Sequence, residues 1–159
     1  MKKKLLVVLL AMAMVFTVGI ALTGCGPSVP GIVGNPPTTA QEMQAQLRSD
    51  GWSMVELWEG NSGVEVSAMR TCDVFAGVML GNMPEDLNVN VWVEAIEAFY
   101  AIDASAADAF YEDWSEDIAE IRGEVPAGVS FTYEIARTGN VVVVWFRTEG
   151  SLSLTLETM

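Results

Sequence analysis

The chain contains no histidine, and its only lysines are Lys2, Lys3 and Lys4. Without histidine there is no Ser-His-Asp or Cys-His catalysis and no imidazole ligand for a metal. Beyond residue 4 there is no lysine for a Schiff base, a serine-lysine dyad or a phosphate-binding loop. Two cysteines, Cys25 and Cys72, are too few for a cysteine-rich zinc or iron-sulfur site or for a disulfide scaffold. Neither a Gly-x-Gly-x-x-Gly segment nor an Asp-x-Asp-x-Asp-Gly loop is present. After Leu22 no second apolar run reaches the length of a bilayer. Positive charge is scarce as well. From residue 25 onward the basic residues are Arg48, Arg70, Arg122, Arg137 and Arg147, against 21 acidic residues. That balance opposes nucleic acid and anionic lipid headgroups. It favours cations, basic peptides or simple solubility.

What is present begins at the N-terminus. Lys2 to Lys4 are followed by an apolar run from Leu5 to Leu22, which only Thr17 and Gly19 interrupt. Small residues then lead to Leu22-Thr23-Gly24-Cys25. A basic start, an apolar centre and a small-residue cleavage site are the order of a secretory signal. Gly24-Cys25-Gly26-Pro27 breaks any helix at the point where cleavage is expected. With its terminal cysteine the segment resembles a bacterial prolipoprotein signal. The resemblance implies cleavage between Gly24 and Cys25, a thioether-linked diacylglycerol on Cys25, and a palmitate-type lipid anchor. The protein would then sit on the outer face of the cytoplasmic membrane. Each buried methylene of such chains contributes about 0.8 kcal/mol to anchoring.

Three regions follow from this reading: a signal at 1–24, a Pro/Gly-rich tether at 25–37 and one domain at 38–159. The tether contains Pro27, Pro30, Pro36 and Pro37 and shows no periodicity. In the domain, Thr39-Ala40-Gln41-Glu42 is a capping box opening a helix, with Ala40, Met43 and Leu47 on one face and Gly51 as its stop. Residues 52–58 are rich in strand formers, and Gly60-Asn61-Ser62-Gly63 is a turn. Val64, Val66 and Ala68 alternate with polar residues, and Val74 to Leu80 is apolar at strand length, followed by a loop from Gly81 to Asp86. Residues 89–102 fit either period, and the alternation of Val89, Val91 and Val93 favours a strand through Tyr100.

A second helix is expected from a cap at Ser105 to a stop at Gly123. Ala107, Phe110, Tyr111, Trp114, Ile118 and Ile121 form its core face. Val129, Phe131, Tyr133 and Ile135 then alternate inward, Thr138-Gly139-Asn140 turns a hairpin, and Val141 to Phe146 reads as a central strand. Leu152, Leu154 and Leu156 read as a last edge strand. The fold class is therefore α+β: an antiparallel sheet of about five to six strands with two helices packed on one face. The order of tether, capped helix, strands, acidic helix and closing hairpin is similar to that of many small lipoproteins of Gram-positive bacteria.

The remaining candidates for chemistry are weak. Asp113, Glu116, Asp117 and Glu120 lie at i, i+3, i+4 and i+7 and offer oxygen ligands for Ca²⁺, though like charges at that spacing are commonly a solvated helix face. Of the five tryptophans, Trp92 and Trp58 are the candidates for an exposed platform for sugars or peptides. Cys72, left without a chain partner by a lipidated Cys25, is expected to be a small buried hydrophobe. No cofactor is implied. The expected function is a non-enzymatic binding or interaction module held by lipid on Cys25, with an envelope protein, a peptide or a cation as partner and no nucleic acid. The alternatives are a solute- or cation-binding accessory protein of an envelope system and a carboxylate-dependent hydrolase of cell-envelope glycan, since two carboxylates suffice for that reaction.

Overall fold

The computed structural model describes residues 29–71 and 86–155, and of 86–90 and 151–155 the backbone alone. A one-turn helix, α1 (Gly31–Gly34), precedes α2 (Ala40–Ser49). Strands β1 (Ser53–Gly60), β2 (Gly63–Thr71) and β3 (Asp86–Ala101) follow, then α3 (Ala104–Glu124), β4 (Ser130–Thr138) and β5 (Val141–Thr155). The five strands form one antiparallel sheet in the order β1-β2-β3-β5-β4. The α+β class with an antiparallel sheet is as the sequence implies.

Local chemistry accounts for most boundaries. The Thr39 hydroxyl accepts from the Glu42 amide at 3.2 Å, and the Glu42 carboxylate accepts from the Thr39 amide at 3.2 Å. This is the reciprocal capping box, and it buries Ala40, Met43 and Leu47 on one face of α2. The hairpin between β4 and β5 turns through Gly139 at φ 61°, a conformation glycine adopts without steric cost. At α3 the cap is Asp103, whose carboxylate accepts from the Ala106 amide at 2.8 Å. The expected cap at Ser105 is thus corrected by two residues, since the carboxylate of Asp103 reaches the open amide first. The expected stop at Gly123 is also passed, and α3 continues to Glu124.

The placement of the helices differs from the sequence reading. Met43 and Leu47 of α2 pack with Val66, Ala68, Ile96, Ala98, Val143 and Trp145. Ala107, Phe110, Trp114 and Ile118 of α3 pack with Phe99, Val142, Val144 and Phe146. Residues 142, 144 and 146 point to one side of β5, and 143 and 145 to the other. The sheet therefore lies between α2 and α3 rather than under both. A strand interior to the sheet and apolar on both faces requires cover on both, and β5 is such a strand.

Two further corrections concern the ends of the chain. Ile32 and Val33 are buried in the α2 face of the core, so the segment read as a tether joins the domain at α1. Tyr100 fixes the connection that follows: its hydroxyl donates to the Pro37 carbonyl at 2.9 Å. Leu152 and Leu154 belong to β5 and pair with Val89 and Leu87 of β3, so they do not form a separate edge strand. The edges are β1 and β4. Leu156, the strand expected at Val74 to Leu80, the loop after it and Cys72 lie outside the described residues.

Candidate functional site

Helix α3 crosses its sheet face over β3, β5 and β4. Phe110 stacks on Phe99 with ring centroids 4.6 Å apart, and the Trp114 indole N–H donates to Glu97 at 3.2 Å. At the N-terminal end of the helix Arg137 of β4 is ion-paired with Asp108, and Arg137 also donates to the Gly139 carbonyl at 3.0 Å. That clamp ties the end of β4 to the start of α3. Further along, the helix and the strand part. Between them lies a groove of about 310 Å³. Tyr111, Ser115, Ala119 and Arg122 line it from the helix, with Ile118 beneath. Tyr133, Glu134 and Ile135 line it from β4.

The helix residues form a stripe at i, i+4, i+8 and i+11 beside the core-facing row. Small side chains at Ser115 and Ala119 leave space where larger ones would close onto β4. The Ser115 hydroxyl is turned back to the Tyr111 carbonyl at 2.8 Å. Tyr111 and Tyr133 are 39% and 36% exposed. The sequence reading placed both in the core. Tyr111 lies beside the buried row of α3, Tyr133 stands on a strand with no buried residue, and both border the groove. The Arg122 guanidinium lies 5.8 Å from the Tyr133 ring centroid. The signal in the sequence was the pair of small residues in register with a tyrosine and an arginine.

A second cluster lies on the other sheet face. Register brings Arg70 of β2, Glu94 of β3 and Arg147 of β5 side by side. Glu94 is 2% exposed and its two carboxylate oxygens accept from different arginines: Oε2 from Arg70 Nε and Oε1 from Arg147 Nη1 at 3.0 Å. Arg147 also donates to Glu149 at 3.2 Å. Arg70 stacks on Trp52 at 4.3 Å and Arg147 on Trp92 at 4.6 Å. Two guanidiniums, one on each oxygen, neutralise and hold a carboxylate that would otherwise be costly to bury. Both oxygens of Glu94 are committed, so this cluster reads as a structural clasp.

The expected site residues are not brought to one place. The ring of Trp92 is covered by Arg147, which corrects its reading as an open platform. Trp58 is 54% exposed on the edge strand β1, far from the groove in sheet order, and its indole N–H donates to Glu56 at 3.3 Å. Asp113, Glu116 and Glu120 are exposed on α3 while Asp117 is half-buried, and among the described residues no group of three acidic, histidine or cysteine side chains converges as metal ligands would. Gly24 and Cys25 lie outside the described residues. Among the described residues no helix is long and apolar enough to cross a membrane. Comparison with protein-family models, with curated proteins and with solved structures finds no match to this chain.

Proposed function

We propose that the protein is a lipid-anchored lipoprotein of the outer face of the cytoplasmic membrane, and that its domain is a non-enzymatic docking module for another envelope protein. The Leu22-Thr23-Gly24-Cys25 motif supports the anchor. One observation carries the docking reading: the groove between α3 and the edge strand β4, lined by two half-open tyrosines over an apolar floor. Aromatic side chains with one apolar and one wet end are the residue type enriched where proteins meet.

Two variants test the two halves. Cys25→Ala removes the thiol that the lipid would occupy, and metabolic acyl labelling should vanish; label that persists rejects the anchor. Ala119→Trp fills the groove from an exposed helix position. A photo-crosslinker at Tyr133 on intact cells should give a discrete adduct that Ala119→Trp removes, while a crosslinker at Trp58 should not give it. An adduct that survives the filled groove rejects the docking site.

A further inference from the structure

The two edges of the sheet are built differently. The β1 edge carries an irregularity between Ser53 and Glu56, with Met54 at φ 47°. Such a bulge twists an edge and spoils it as a template for another strand. Glu56 and Glu59 add charge there. The β4 edge has no such device. Its register with β5 runs unbroken from Ser130 opposite Glu149 to Thr138 opposite Val141. Its charged residues are Glu134 and Arg137, and Arg137 is turned away to Asp108. Among the described residues no strand pairs with the outer side of β4, which there presents a row of backbone donors and acceptors. The groove runs beside that row, with α3 as its far wall. An edge strand and a helix flanking one groove is the arrangement in which an extended peptide adds a strand and sends alternate side chains into the groove.

The surroundings define the occupant. Glu112 and Glu116 are exposed one turn apart on α3, next to the Tyr111–Ser115–Ala119 stripe, and Glu134, opposite Trp145 in register, is exposed on the face of β4 turned away from α3. Arg122 is the one cation among the groove's lining residues and lies at the end remote from the Asp108–Arg137 clamp. Through strand addition at β4, we propose, the groove takes an extended basic segment of another protein, with apolar and basic residues in alternation. Its apolar residues enter the groove, and its basic residues line the other face beside Glu134, away from Arg122. This rests on the docking reading above. A second copy of the chain is the wrong occupant, because pairing β4 with β4 would bring the same glutamates together on two molecules that each carry a formal charge of −13.

The test uses the full chain in detergent micelles and three synthetic peptides: an alternating Lys-Val octapeptide, the same peptide N-methylated on alternate amides, and its Glu-Val counterpart. The Lys-Val peptide should bind with an affinity that falls as salt rises. It should slow amide exchange in β4 and leave β1 unchanged. N-methylation on the strand-facing amides should weaken binding by about tenfold or more, the loss expected when ladder hydrogen bonds are removed. The Glu-Val peptide should not bind. Ala119→Trp, checked for an unchanged melting temperature, should abolish the Lys-Val complex. Equal binding of the N-methylated peptide, equal binding of the Glu-Val peptide, no binding of any peptide, or a dimer joined through β4 each overturns strand addition by a basic segment. Full binding to Ala119→Trp would overturn the docking reading itself.

Discussion

At the scale of single residues, Glu94 carries the most concentrated charge in the domain's interior. Two guanidiniums meet one buried carboxylate, and each guanidinium also lies over an indole ring. Replacing Glu94 by alanine leaves Arg70 and Arg147 without their shared partner in a partly buried site. Loss of one member of a buried pair costs about 3 kcal/mol or more. Chemical denaturation of Glu94→Ala should show a loss of that order, whereas Glu149→Ala, which removes a half-exposed partner of Arg147 alone, should cost under about 1 kcal/mol. Equal losses would reject the clasp. Tyr100 is the second informative residue. Burial, and then the charge of Glu42, push its hydroxyl up to about 12 from 10.0. The folded state thus holds the phenolic proton more tightly than the unfolded chain. Its contribution is complete below pH 10 and is lost as pH rises toward 12. Tyr100→Phe should lower stability at neutral pH by about 1 kcal/mol through the lost bond to Pro37. It should also flatten the fall in stability between pH 10 and 12 that unfolding at stepped pH reveals in the parent protein.

At the scale of elements, two glycines separate turn chemistry from helix propensity. Gly63 opens β2 at φ 152°, and a Cβ there would meet the Tyr100 carbonyl oxygen at 2.3 Å. Gly63→Ala should cost more than about 1 kcal/mol, because strain and steric overlap act together. Gly123 sits inside α3, where a Cβ meets nothing within 4 Å. Gly123→Ala should raise stability by about 0.5–1 kcal/mol. Opposite signs in thermal unfolding check both readings. The Gly123 result also bears on what could be read from the chain. A glycine after an amphipathic run signals a stop, but α3 already had its core face in place and continues for one more residue. The capping box at Thr39, the strand at 89–100 and the Gly139 hairpin were legible because each rests on neighbours close in sequence. The faces of the sheet were not. Which side α2 and α3 occupy depends on register between strands far apart in the chain. The same holds for the clasp, whose partners are 24 and 53 residues apart. The groove was hidden for a related reason: Tyr111 and Tyr133 share the period of core residues, and only the distance between α3 and β4 exposes them.

At the scale of the whole molecule, the sheet divides the work. One face carries α1, α2 and the clasp. The other carries α3, beneath which the groove opens. Both faces carry core, but the groove lies outside it, so groove variants such as Ala119→Trp should leave the melting temperature alone while Glu94→Ala lowers it. The acidic balance acts over the same length scale. On the proposed reading, repulsion between like-charged copies would oppose pairing of the β4 edge with itself, and attraction of a basic segment would be screened beyond about 10 Å at ordinary salt.

The burial of Ile32 and Val33 fixes a distance as well as a core. Seven Cα–Cα steps lead from Cys25 to Ile32, and a fully extended chain of that length reaches about 25 Å. Helix α1 rests on β4 and β5, the strands that adjoin the groove. With Cys25 lipidated, the leash is shorter than the domain it holds. The groove would patrol a thin layer above the bilayer, meeting segments that emerge from the same membrane far more often than molecules arriving from the medium.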